Sequence, residues 1–247
     1  CMHLSDDVME ILCAQLCKEN VYHIHISSCS MQCNVMNSLG LLLASSTKVT
    51  YFGFMRNCFV GEGSTISALF DGIALNQSID HLCLEQLDLR NDANSLARAV
   101  REHSKLKNLK ISHCKLTDEG VGNIGIAIGS RGRMKVLTFE QLEEFGPLAA
   151  HGMEELITSC VVLEQLHLST IRDSQSISCL TGLGRALRNT RSLEHLYLRN
   201  FRISSRDATE LGRAIRHNSS LEQFSLTDMA MGNVGVKALG KALPYNN

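Results

Sequence analysis

The chain carries ten cysteines and ten histidines among 247 residues, enough thiol and imidazole for a nucleophile, a general base or a metal site. Their spacing favours none of these. No Cys-x-x-Cys pair occurs, and the tightest pairs, Cys13/Cys17 and Cys29/Cys33, leave three residues between. His23 and His25 share a face at i, i+2, but a third ligand is not evident. The sequence has no Gly-x-x-x-x-Gly-Lys-Ser/Thr loop, no Gly-x-Ser-x-Gly elbow and no His-Glu-x-x-His. Gly120, Gly122 and Gly125 resemble a dinucleotide fingerprint only superficially. Cys83 and His113 could pair on paper, yet a nucleophile needs a positioned base and a pocket. The expectation is a non-enzyme, with no catalytic residue, no metal site and no cofactor.

The elements that must position these side chains repeat. The pattern apolar-x-x-apolar-x-apolar recurs eight times, at Val21/Ile24/Ile26, Val49/Phe52/Phe54, Ile79/Leu82/Leu84, Leu106/Leu109/Ile111, Met134/Leu137/Phe139, Leu163/Leu166/Leu168, Leu193/Leu196/Leu198 and Leu221/Phe224/Leu226. Successive starts (21, 49, 79, 106, 134, 163, 193 and 221) lie 27 to 30 residues apart. Alternation within each run predicts a strand with one buried face. About ten residues later the spacing turns helical, as in Leu180, Leu183, Ala186 and Leu187, or Ala208, Leu211, Ala214 and Ile215. The triples Leu96/Ala99/Val100 and Ile124/Ala127/Ile128 repeat it. One strand and one helix cannot bury their apolar faces alone, so the units must stack. A helix is about 10 Å wide and strands lie under about 5 Å apart, so the row must bend, with a concave parallel sheet and outer helices.

Length and composition fit one array over 1–247, with 1–20 as the helix of a preceding half-repeat burying Val8, Ile11, Leu12 and Leu16. The last helix is expected near Val234 to Leu243. The start at Cys1 and the stop at Pro244-Tyr245-Asn246-Asn247 read as cuts from a longer protein. A net charge of −1 supplies no basic excess for nucleic acid or an anionic membrane. The longest apolar stretch, Leu39 to Ala44, falls far short of a bilayer span. Most cysteines fall on positions a repeat would bury, which points to a reducing, cytoplasmic setting.

The stretch Leu106-Lys-Asn-Leu-Lys-Ile-Ser-His-Cys-Lys-Leu-Thr117 resembles the leucine-rich-repeat signature, with Cys114 ninth and Leu116 eleventh. A period near 28 with a full helix is similar to the ribonuclease-inhibitor class. The joints Leu187-Arg-Asn-Thr-Arg-Ser-Leu193, Ile215-Arg-His-Asn-Ser-Ser-Leu221 and Ala74-Leu-Asn-Gln-Ser-Ile79 resemble repeats of animal NOD-like receptors. The resemblance implies an α/β leucine-rich-repeat solenoid, a horseshoe of about eight strand–helix repeats, acting in protein recognition. It further implies a sensing or autoinhibitory role, innate immunity, and contact with a flanking nucleotide-binding domain. F-box ubiquitin-ligase subunits, Ran-type GTPase activators and free ribonuclease inhibitors use similar arrays and stay open as alternatives. Cys29, Asn57 and Cys114 keep the ninth-position pattern, whereas Leu87, Leu142, Ile171, Phe201 and Met229 depart from it. Irregular loops are expected after those five strands, most of all over 138–152.

The second, third, fifth, seventh and eighth residues of each unit should form columns on the concave face. Six of the ten histidines fall there: His23, His25, His81, His113, His167 and His195. Lys107, Lys110 and Lys135 lie mid-row, and Glu164, Glu194 and Glu222 form an acidic column suited to a basic partner. Anchor residues dominate affinity. The partner-binding face is therefore assigned to Tyr51, Met55, His81, Lys110, Glu164, His167, Glu194, His195, Tyr197, Arg199 and Glu222, with Tyr22 a weaker edge contact. A protein partner is expected, with no nucleic acid and no membrane.

Overall fold

In a computed structural model, the structure describes residues 2–4, 8, 11, 15–16, 20–60, 65–172 and 177–241. Contacts divide the chain into two compact units, Cys1–Lys115 and Leu116–Asn247. The fold is α/β, a leucine-rich-repeat solenoid in which parallel strands alternate with helices.

In the first unit, strands β1 (Met2–Leu4), β2 (His23–Ser27) and β3 (Cys29–Gln32) precede helix α1 (Cys33–Ser45). Then follow β4 (Tyr51–Met55), β5 (Cys58–Val60), α2 (Ser67–Leu75), β6 (His81–Glu85), α3 (Ala93–Glu102) and β7 (Asn108–Ser112). Strands β2, β4, β6 and β7 pair in parallel, and every residue faces its equivalent one repeat on: Ile24↔Phe52, Phe52↔Leu82, Leu82↔Leu109. That register keeps all apolar residues on one side, because a slip of one residue would turn them to water.

The second unit repeats the scheme. It runs α4 (Asp118–Gly129), β8 (Val136–Leu142), α5 (Pro147–Ser159), β9 (Gln165–Thr170), β10 (Ile177–Ser178) and α6 (Thr181–Asn189). It continues with β11 (His195–Arg199), β12 (Arg202–Ile203), α7 (Ser205–His217), β13 (Gln223–Thr227) and α8 (Gly232–Gly240). Strands β8, β9, β11 and β13 form its parallel ladder. The predicted stripes Leu180/Leu183/Ala186/Leu187 and Ala208/Leu211/Ala214/Ile215 are buried.

The expected helix over 1–20 is modified. Residues 2–4 form β1, which pairs with β3, while residues 8, 11, 15 and 16 are helical. Val8 and Ile11 are 44% and 64% exposed, so neither faces a core. Leu12 lies outside the described residues.

Second ladders also escaped the repeat pattern. β1, β3 and β5 pair in parallel beside the main strands, as do β10 and β12. The chain reaches them by a sharp turn after the strand. The eighth residue of seven units adopts a left-handed backbone without being glycine: Ser28, Arg56, Gln86, His113, Gln141, Asn200 and Asp228. The ninth residue then secures the turn. Asn57 Nδ2 donates to the Ile26 carbonyl at 3.0 Å, and its Oδ1 accepts from the Cys29 N–H at 3.0 Å. Cys114 Sγ donates weakly to the Leu84 carbonyl at 3.6 Å.

Irregularity does not follow every departure at this position. Phe201 is fully buried, meets Phe145 edge-on at 5.1 Å, and leads straight into the β12 ladder. The break occurs in β8, where the register shifts between Phe139 and Leu142 against Leu168 and Thr170, leaving one extra residue as a bulge. There Gln141 N–H donates to Ser169 Oγ at 3.0 Å instead of extending the ladder.

Helix-to-strand joints are held by one buried polar side chain. Asn76 Nδ2 donates to the Leu43 and Ser46 carbonyls of the preceding repeat at 2.6 and 3.0 Å. Its Oδ1 accepts from the Ser78 and Ile79 N–H groups at 2.8 and 2.7 Å. Asn218 repeats this on Leu187, Thr190, Ser220 and Leu221. Between them in sequence, His103 takes the role. Its Nδ1 accepts from the Lys105 and Leu106 N–H groups, both at 3.1 Å, while Nε2 is buried without a partner. Burial pushes its pKa down to about 4. Helix starts are tied across repeats too: Asp118 on α4 accepts from the Gly146, Leu148 and Ala149 N–H groups at the start of α5. Helices α4 and α5 touch through backbone, since a Cβ on Gly152 would overlap the Gly122 carbonyl oxygen.

Two outcomes follow. An unfolded histidine titrates near 6.5, so between that value and about 4 the unfolded chain holds a proton that folded His103 refuses. His103 therefore costs nothing above pH 6.5 and up to about 3 kcal/mol as pH falls to 4. His103→Asn should restore both halves of the joint and flatten this part of the pH dependence, read from urea midpoints at pH 7.5 and 4.5. An unchanged slope would show that the imidazole is not responsible. Gly152→Ala should lower stability by about 1–3 kcal/mol by prising two helices apart, measurable by chemical denaturation.

Candidate functional site

Side chains that leave the strand layer are held by strands on both sides, so their positions are preset. In the first unit they gather around Gly53. The Tyr51 ring lies over it: a Cβ at Gly53 would stand 3.0 Å from Tyr51 Cε1, 3.1 Å from its hydroxyl and 3.4 Å from Met55 Cε. Tyr51 thus occupies the space that a larger residue at position 53 would fill. His23, one rung back, meets the Tyr51 ring edge-on at 5.7 Å. On the other side lies Cys83, which shares a hydrogen bond with the Tyr51 hydroxyl. Burial, then the Cys83 thiol and the Glu85 carboxylate, raise the Tyr51 pKa above the ordinary phenol value. Arg56 Nε donates to Glu85 at 2.9 Å across one rung.

The other assigned residues of this unit flank that cluster, His81 one rung from Tyr51 and Lys110 one rung from Cys83. His81 is exposed, with Nδ1 2.6 Å from Asp80 Oδ1. Lys110 is exposed beside Cys83 in the strand register.

In the second unit the centre is Tyr197. Its hydroxyl donates to Gln223 Oε1 at 2.8 Å. The His167 ring lies 5.6 Å away at a tilt of 48°, and the His195 ring lies 6.4 Å away, nearly parallel at 21°. His167 Nδ1 approaches Glu140 at 3.8 Å. Arg199, two residues along β11 from Tyr197, reaches Asp228 at 3.2 Å. The fifth residues of successive units already set Tyr197 beside His167, as the strand register has them, and the structure adds the His195 ring stacked against Tyr197.

Three features correct the sequence expectation. Glu164 does not stand ready for a basic partner, because Lys135 Nζ one rung back already binds it. The acidic column therefore shortens to Glu194 and Glu222. Nor is every outward column exposed: Cys83, Ser112, Ser169 and Thr170 are buried. Thr170 turns inward because its Oγ1 donates to the Asn200 carbonyl at 2.6 Å while Asn200 Nδ2 donates back to the Thr170 carbonyl at 3.1 Å. Gly53, Gln223, Asp80 and Asp228 were missed as partners. The repeat period could have found Gln223, one rung from His195, and Asp80 directly precedes His81, whereas Gly53 lies two residues from Tyr51 and Met55 and Asp228 lies diagonally across from Arg199.

No protein-family model and no curated protein matches this sequence. Among solved structures, the chain is similar to an internalin (inlF) from Listeria monocytogenes, at 13% identity and a TM-score of 0.35 over 95% of this chain and 81% of that one. The repeat fold stands on the strand register and helix packing above, not on that distant likeness. Among the described residues, no helix is long and apolar enough to cross a membrane.

Cys83→Ala should remove one cause of the raised Tyr51 pKa. In an alkaline absorbance titration, one of the four tyrosines is then expected to ionise at lower pH than in the parent protein. Superimposable curves would place the thiol outside the phenol's surroundings.

Proposed function

We propose that this chain is a protein-recognition module that docks a protein partner on its strand face. The observation that carries the reading is the cluster His167–Tyr197–His195 with Arg199 beside it, fixed on paired parallel strands. Aromatic and arginine side chains dominate binding hot spots. Here their ordering cost is already met by the ladder, so less of the contact energy is lost on binding. The Tyr51–Met55–His23 cluster of the first unit provides a second anchor of the same kind. Lys110, His81, Glu164, Glu194 and Glu222 supply the charged rim in this reading.

Binding rather than catalysis fits a face several of whose polar groups already have partners within the sheet. Tyr197 is held by Gln223, Arg199 by Asp228 and Glu164 by Lys135. The resemblance of the joints to NOD-like receptor repeats supports a finer reading: a single array within a longer cytoplasmic receptor, sensing a ligand or holding a flanking nucleotide-binding domain in check. Asn76 and Asn218 in those joints make the same bonds in both units, so these residues have a structural reason to recur. A reducing compartment fits Cys29, Cys58, Cys83, Cys114, Cys160 and Cys179, which are free thiols.

The test is quantitative affinity capture with the intact chain against Tyr197→Ala/Arg199→Ala. Partners of the strand face should fall at least about tenfold, the loss expected when a hot-spot residue is truncated. If every captured protein persists at parental levels while the variant remains folded, the face is not the docking site.

A further inference from the structure

We propose that Glu194, His195 and Glu222 form a binding site for a divalent transition-metal ion of the zinc class. The sequence reading finds no metal site, because these residues belong to different repeats and carry no ligand spacing. The strand register brings them together. The Glu222 N–H donates to the Glu194 carbonyl at 2.8 Å, so the two glutamates occupy the same place on adjacent rungs, and His195 follows Glu194 directly. One donor atom from each of the three side chains lies within 4.8 Å of the others. An ion with bonds of about 2.0–2.2 Å needs its donors closer than that by roughly an ångström. Exposed glutamates can close the gap by rotation alone.

Two further observations point to a cation. The first is how the neighbouring charges are disposed. Lys135 binds Glu164 in the same column and Arg199 binds Asp228 on the same strands, whereas no ion pair among the described residues engages Glu194 or Glu222. Two adjacent carboxylates on a ladder repel each other, and a divalent ion between them reverses the sign of that interaction. The second is His195 Nδ1, which is shut off from solvent yet has no hydrogen-bond partner. Leaving such an atom unsatisfied is costly. An ion bound at Nδ1 would give that nitrogen the partner it lacks.

The donor set selects the class of ion. One imidazole with two carboxylates suits zinc or its first-row neighbours. Calcium and magnesium favour all-oxygen shells, so an imidazole nitrogen among the three donors suits neither. With three protein ligands, one or more positions would remain for water. The site lies on the proposed docking face but does not rest on that reading.

The test uses cobalt(II) as the probe, added to the intact chain while histidine ring protons are followed by NMR. His195→Ala assigns the His195 signals. One equivalent of cobalt(II) is expected to shift and broaden those signals first. In Glu194→Gln/Glu222→Gln the apparent Kd should rise at least about tenfold, with Glu222→Gln alone showing a smaller loss. Without metal both variants should unfold at or slightly above the midpoint of the parent, since neither side chain has a partner to lose and the carboxylate repulsion is relieved. The proposal is overturned if other histidines or a thiolate absorption band respond while His195 does not, or if the double variant binds cobalt(II) as the parent does.

Discussion

The structure depends on the fact that a strand of five residues and a helix of about ten cannot hide their apolar sides from water alone. Burial becomes possible only when identical units lie against each other in register. Phe52, Leu82 and Leu109 show the consequence: each is buried, and each pairs with the corresponding residue of the adjoining unit. Stacking also leaves polar backbone at every junction, and such groups cannot be buried unpaired. Asn57 at the strand end and Asn76 and Asn218 at the helix end pair both chain directions with one amide each. His103 is the exception that exposes the rule. It accepts the two N–H groups but leaves Nε2 without an acceptor, and its depressed pKa records the burial.

The chemistry of the strand face is set by what stands one rung away, which is about 28 residues distant in sequence. Charges there are mostly consumed within the ladder: Arg56 by Glu85, Lys135 by Glu164, Arg199 by Asp228. Exposed pairs of this kind contribute little stability, yet they determine which side chains remain for other tasks. Aromatic rings behave similarly. Tyr51 is ordered because Gly53 leaves room beneath it, and Tyr197 because Gln223 holds its hydroxyl. What remains is a pair of anchored tyrosine clusters and a short acidic column beside His195.

Several elements were legible from residue types. The eight strands sit at the predicted positions because period-two alternation has only one buried solution. The helical stripes hold because spacings of three and four fit only one face. The expectation for the departures at the ninth position was only partly useful. Phe201 meets the same need by volume that Asn57 meets by hydrogen bonding, and apolar residues at that place do not reveal which loop will bulge. The short ladders of β1, β3 and β5 were also hidden, because two to four residues carry no readable period.

The sequence by itself determined the repeat, its period, the strands and helices of the eight units, and most of the residues those units bury. These follow from local periodicity, which a single unit already contains. Tertiary structure decided which outward residues are free and which are engaged: Glu164 against Glu194, Thr170 turned inward, Tyr197 flanked by two imidazoles. Those outcomes depend on distances of a few ångströms between residues of neighbouring units. A shift of one residue in a single strand, such as the bulge between Phe139 and Leu142, changes them without altering the pattern that announced the fold.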